Sequence, residues 1–141
     1  MAEPRAIVLI DDDRDFLEMN ASVLASRGYA VRCFSDPQDA LAAIRSGEPG
    51  SMPSLVITDL MMKTIDAGFS FSRLINFDPR FKGVPIILIT AAAKKRGFAL
   101  QAQNVKDLQK MGIDGYFDKP VDPDQLLRKV RELLAREPTL P

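Results

Sequence analysis

Val8-Leu9-Ile10-Asp11-Asp12-Asp13 decides the fold: three apolar residues run directly into three aspartates. Carboxylates packed this closely at the end of a buried segment repel one another unless a positive group sits among them. Ala6–Ile10 therefore reads as a short buried strand, and the aspartates mark the point where it reaches solvent and a functional edge. Asp13 or Asp15 can cap a following helix in which Phe16, Met19 and Val23 recur at helical spacing and which Gly28 stops. The same unit repeats along the chain. Ala30–Phe34 is a second strand, and Asp36-Pro37 opens a helix that is expected to run to Gly47. A Pro- and Gly-bearing loop, Glu48–Ser54, leads to a third strand at Leu55–Thr58 ending on Asp59. A helix is expected around Phe69–Phe77. A fourth strand, Pro85–Ile89, ends on Thr90, and a further helix closes near Met111-Gly112. Gly115–Asp118 is a fifth strand, and Asp122-Pro123 starts a last helix with Leu126, Val130, Leu133 and Leu134 on one face.

Five β-α units with uniformly apolar strands imply a parallel sheet covered by helices on both faces, joined by right-handed crossovers. Ligands of such sheets sit beyond the carboxyl ends of the strands. Asp11, Asp12 and Asp13, Asp59, Thr90 and Lys119 all fall there. Clustered carboxylates suit a hard cation such as Mg²⁺, which keeps waters and favours a phosphate co-ligand. A carboxylate in that setting can attack a phosphoryl group, with a metal and an ammonium neutralising the transferring oxygens.

Composition bounds the alternatives. The 141 residues suffice for one well-buried domain, and the 19 basic and 19 acidic residues cancel. Residues 1–70 carry 6 Lys/Arg against 11 Asp/Glu, a net −5, and residues 71–141 carry 13 against 8, a net +5. Zero overall charge argues against nucleic acid as the main partner. No apolar run is long enough to span a membrane, and with neither a signal-like N-terminus nor a second cysteine the expected location is cytoplasmic. Cys33 reads as a small core residue and Lys94-Lys95-Arg96 as a solvated turn, with a docking patch as its alternative. With no histidine in the chain, any phosphohistidine donor must be another molecule.

The chain resembles the receiver domain of two-component response regulators over roughly Ile7 to Leu134. The resemblance rests on "VLIDDD", "LVITDLMM", "PIILITA" and "GYFDKPVD", in that order. It implies a flavodoxin-like doubly wound (βα)5 fold with strand order 2-1-3-4-5, as one receiver domain over 1–141 (core about 6–135) with no output domain in this chain. It implies that Asp59 accepts the phosphoryl group and that Asp11, Asp12, Asp59 and the Met61 backbone carbonyl hold Mg²⁺, with Asp12 the more direct ligand. Thr90 and Lys119 would bind the phosphoryl oxygens, Thr90 and Tyr116 would form the switch, and Pro120 would follow a cis bond. The implied partners are a sensor histidine kinase or histidine phosphotransfer protein and a downstream protein effector, with no direct nucleic-acid or membrane binding. The implied assembly is a monomer or a weak phosphorylation-dependent dimer. The resemblance further implies that side chains two beyond Asp59 and Thr90, here Met61 and Ala92, border the path of a hydrolytic water. Neither holds water by a strong hydrogen bond, so slow self-dephosphorylation is expected.

Two departures stand out. Lys63 and Ala67 occupy positions where the family commonly has proline and glycine, and the glycine arrives at Gly68. Thr90 and Lys119 are 29 positions apart, about one and a half to two helical turns more than is usual in the family, so Ala91–Gln103 is expected to form an enlarged loop or lengthened helix. An enzyme reading competes: "LIDDDRD" also fits the nucleophile loop of haloacid-dehalogenase-like phosphatases, with Asp11 as nucleophile and Asp13 as general acid/base. A receiver that docks without phosphorylation is the third reading.

Overall fold

The computed structural model describes residues 5–46, 53–59, 84–90 and 113–135, with the side chains of Pro37, Asp59 and Thr90 outside that description. Five parallel strands form one sheet in the order β2-β1-β3-β4-β5. They are β1 (Ala6–Ile10), β2 (Ala30–Phe34), β3 (Leu55–Asp59), β4 (Ile86–Thr90) and β5 (Gly115–Asp118). Helix α1 (Arg14–Ala25) follows β1, α2 (Pro37–Arg45) follows β2, and a C-terminal helix (Pro123–Ala135) follows β5. This is the flavodoxin-like doubly wound arrangement.

Strand alternation sends consecutive residues to opposite faces, and both faces are apolar. Ile7, Leu9, Leu55, Ile57, Ile87 and Ile89 pack with Phe16, Leu17 and Leu24 of α1 and with Leu126, Leu127, Val130, Leu133 and Leu134 of the C-terminal helix. Val8, Ile10, Val56 and Ile86 pack with Ala40, Leu41 and Ile44 of α2 on the other face. Full burial of one such side chain contributes roughly 1.5–3 kcal/mol.

Local chemistry sets the ends of these elements. The Asp13 carboxylate accepts from the Phe16 amide at 3.2 Å and caps α1, and the Asp36 carboxylate accepts from the Gln38 amide at 2.8 Å and caps α2. Helix α1 closes at Gly28, whose φ of 90° lies in the left-handed region. The Gly28 amide donates to the Ala25 carbonyl at 3.0 Å and the Tyr29 amide to the Leu24 carbonyl at 3.3 Å, the paired bonds of a Schellman ending. Helix α2 ends at Arg45, before the expected Gly47.

Two further expectations are corrected. Cys33 is exposed rather than in the core, because β2 is an edge strand on which Ala30 and Arg32 are exposed as well. The shielding that remains pushes the Cys33 thiol pKa up. The apolar stripe of α1 is rotated from the expected one: Met19 is 54% exposed, whereas Phe16, Leu17, Asn20 and Leu24 are buried. A polar residue at a core position hid that register. Asn20 Nδ2 donates to the Phe16 carbonyl at 2.9 Å. The expected helices around Phe69–Phe77 and near Met111-Gly112, the enlarged Ala91–Gln103 region, Lys63, Ala67, Gly68, Ala92 and the Lys94-Lys95-Arg96 turn lie outside the described residues.

Because Ile57 is fully buried on the central strand, Ile57→Ala should cost about 3 kcal/mol in urea unfolding. Met19→Ala should stay within about 0.5 kcal/mol of the parent.

Candidate functional site at the carboxyl edge of the sheet

Asp11 leaves β1 with its amide still donating to the Phe34 carbonyl at 3.0 Å, so it continues the ladder one step past the strand. Its carboxylate is 0% exposed. Oδ1 accepts from the Asp13 amide at 2.9 Å, and Oδ2 lies 2.8 Å from Lys119 Nζ. Among the described residues it is the ion pair with Lys119 that meets Oδ2 and offsets its burial. The Lys119 side chain is 17% exposed, and its ammonium also sits 4.6 Å from the centre of the Phe16 ring, near enough for a cation–π attraction. The Lys119–Pro120 peptide bond is cis.

The triplet thus divides into three roles. Asp11 is buried and paired with Lys119. Asp13 is exposed and caps α1. Asp12 is exposed, with no side-chain partner among the described residues. On the neighbouring strand, Ile10 is in register with Thr58, so Asp11 and Asp59 each follow that pair by one residue. Thr90 ends β4 in register with Asp118 of β5. The backbone therefore brings Asp11, Asp12, Asp59, Thr90 and Lys119 to one edge, and Asp11 and Lys119 into contact. Met61 lies outside the described residues.

Tyr116 is half-buried on β5, and its hydroxyl donates to Asp118 Oδ1 at 2.5 Å. Burial, and then the hydrogen bond and negative charge of Asp118, push the phenol pKa far above its ordinary value. Two partners were not legible as such in the sequence. Phe16 read only as part of a helix face, and Asp118 only as a strand end. Phe16 lies five residues past Asp11, and its contact with Lys119 depends on where the β5 loop returns.

Hard oxygen ligands are what Mg²⁺ takes. Asp12 offers a carboxylate free of other partners among the described residues, next to the Asp11 carboxylate and across the register from the end of β3. That donor chemistry fits a divalent cation. Among the described residues no group of three or more His, Cys, Asp or Glu is placed to hold a metal.

A family model for the response regulator receiver domain matches residues 7–131. The chain is 33% identical over 138 residues to Response regulator Rre1 of Synechocystis sp., covering 97% of this chain and 54% of that protein. It is 35% identical over 135 residues to the transcriptional regulatory protein GltR of Pseudomonas aeruginosa, covering 96% and 51%. A putative response regulator from Chloroflexus aurantiacus superposes with a TM-score of 0.76 at 27% identity, over 94% of this chain and 99% of that one. The receiver domain of NtrX from Brucella abortus shares the fold, with a TM-score of 0.74 at 22% identity over 93% and 99%. The chain belongs to the response-regulator receiver-domain family of two-component signalling. It spans about half the length of the curated relatives it matches.

Removing the Lys119 ammonium leaves Asp11 buried without its counter-charge. Lys119→Met should therefore destabilise the metal-free protein by about 3 kcal/mol, and adding Asp11→Asn should recover most of that in a double-mutant cycle of urea unfolding.

In a Tyr29→Phe background, where Tyr116 is the remaining tyrosine, the absorbance change of phenol ionisation should come well above pH 10 and move down in Asp118→Asn. The folded phenol keeps its proton after the unfolded one has lost it. Stability should therefore fall as pH rises past about 10, and fall less in Tyr116→Phe.

Proposed function

We propose that this chain is a phosphorylation-controlled switch whose acceptor is Asp59. The observation that carries the reading is the buried Asp11–Lys119 pair, with Asp11 level in register with Asp59 of the neighbouring strand at the carboxyl edge. A carboxylate oxygen of Asp59 attacks the phosphorus of a phosphohistidine on a sensor kinase or phosphotransfer protein. The P–N bond breaks, and the imidazole leaves with the electron pair and takes up a proton. The chain has no histidine of its own, so the donor is a second molecule.

Lys119 is held within reach of that edge by Asp11 and Phe16, and its ammonium balances charge on the transferred group. Thr90 donates its hydroxyl to a phosphoryl oxygen. Asp12, Asp59 and the Met61 carbonyl, with Asp11 behind them, would hold Mg²⁺. Mg²⁺ when bound neutralises the oxygens in transfer. Asp11 has both carboxylate oxygens engaged, which favours Asp12 as the direct ligand.

Engagement of Thr90 draws Tyr116 from its Asp118 partner and changes the face built from the fourth expected helix, β5 and the C-terminal helix, to which a protein effector binds. A change from 1:99 to 99:1 in favour of the active form needs roughly 5.5 kcal/mol, which charge-assisted bonds to Thr90 and Lys119 are strong enough to supply. A monomer, or a weak dimer that forms on phosphorylation, acts in the cytoplasm without contacting nucleic acid through this domain. Among the described residues no helix is long and apolar enough to cross a membrane.

The phosphatase alternative finds no support. Asp11, its nucleophile, has both oxygens occupied, and Asp13, its acid/base group, is used as a helix cap.

The test is labelling with acetyl phosphate and Mg²⁺. One acid-stable, base-labile phosphoryl group should form. Asp59→Asn and chelation of the metal should each abolish it, and Asp12→Ala should weaken Mg²⁺ binding more than Asp13→Ala. Full labelling of Asp59→Asn, or label found on Asp11, would overturn the assignment.

A further inference from the structure

Away from that edge, α1 ends and β2 begins beside the C-terminal helix. Between them lies a cleft of about 430 Å³ lined by Arg27, Tyr29, Asp124, Leu127, Arg128 and Arg131. Arg27 and Tyr29 form one wall, next to the start of β2 where Ala30 pairs with Ala6 at the amino end of the sheet. The other wall is the side of the C-terminal helix that faces α1. The floor includes Leu127, which is buried in the core.

Three arginines, Arg27, Arg128 and Arg131, line this cleft. None of their guanidinium groups has a hydrogen-bond or ion-pair partner among the described residues, and neither does the Tyr29 hydroxyl. Asp124 lines the same cleft and is also unpaired among them. Other described basic groups are paired, Lys119 with Asp11, Lys129 with Glu132 and Arg5 with the Leu134 carbonyl, whereas Arg14 and Arg45 stand singly among the described residues; what sets Arg27, Arg128 and Arg131 apart is that they line one concave surface. Arginine presents a planar fork matched to carboxylate, and a concave wall holds several forks toward one occupant.

We propose that this cleft is a docking site for an extended acidic segment of a partner protein, with carboxylates meeting Arg27, Arg128 and Arg131 and an apolar side chain between them resting on Leu127. Charge complementarity selects an acidic occupant. The shape and the one opposing charge select a peptide over a compact polyanion. Asp124 and Arg131 are seven residues apart on one helix, about 10 Å, which three residues of an extended chain cover. The Asp124 carboxylate would repel a small anion filling the whole cleft, whereas it accepts from the backbone amides of a peptide. The site lies on the α1 side of the C-terminal helix and does not require phosphorylation of Asp59.

The experiment uses the full chain and a short fluorescein-labelled peptide containing Glu-Leu-Glu-Glu, followed by fluorescence anisotropy at low salt. Binding should saturate and weaken as salt rises. It should be absent for the Lys-Leu-Lys-Lys counterpart. Arg27→Gln, and separately Arg128→Gln with Arg131→Gln, should each weaken it roughly tenfold or more while Asp59 labelling is unchanged. Arg128→Lys with Arg131→Lys keeps the charge and loses the fork, so it should keep the salt dependence and lose part of the affinity. Absence of saturable binding, equal binding by the Arg→Gln forms, or displacement by pyrophosphate as effective as by unlabelled peptide would each overturn the proposal.

Discussion

The Asp11–Lys119 pair is the constraint on which the functional edge depends. Strands β1 and β5 are three strand spacings apart in the sheet, about 14 Å, yet the side chains that follow them meet at 2.8 Å. The turn after β5 and the long Lys119 side chain together therefore reach back toward β1, past the ends of β4 and β3 that carry Thr90 and Asp59. Burying Asp11 completely is tolerable only because its two oxygens are met by an amide and an ammonium. Burial of the acid and placement of the base over the strand ends are thus one arrangement.

Helix α1 is part of the same arrangement. Asp13 caps it through the Phe16 amide, Asn20 holds the Phe16 carbonyl, and the Phe16 ring lies under the Lys119 ammonium. Phe16 also belongs to the core that α1 shares with the C-terminal helix. Packing below the edge and electrostatics at the edge are coupled through one aromatic side chain. Tyr116 is tied to Asp118 on β5.

The C-terminal helix divides its surface between duties. Leu126, Leu127, Val130, Leu133 and Leu134 are buried and hold it to the sheet. Arg128 and Arg131 line the cleft toward α1, and Lys129 crosses Gly115, where an added Cβ would lie 3.1 Å from the lysine stem. Glycine at that position lets the helix seat closely on β5.

The sequence by itself determined the sheet, the apolar strands and the chemical inventory of its carboxyl edge, because these depend on short-range pattern. Apolar runs ending in Asp11, Asp59 and Thr90 mark buried parallel strands wherever they fall, and Asp36-Pro37 and Gly28 mark helix ends by local backbone preference. Tertiary structure alone decided which aspartate of the triplet is buried, which caps and which is left open, since three adjacent identical residues carry no signal of direction. It decided that Cys33 is exposed, because edge position is a property of strand order and not of the strand. It decided that Asn20 replaces Met19 on the inner face of α1, because a polar side chain that bonds its own helix can enter a core. It also set Lys119 against Phe16 and placed Arg27 on the same cleft as Arg128 and Arg131, across about a hundred residues of chain, proximities that exist only once the sheet has closed.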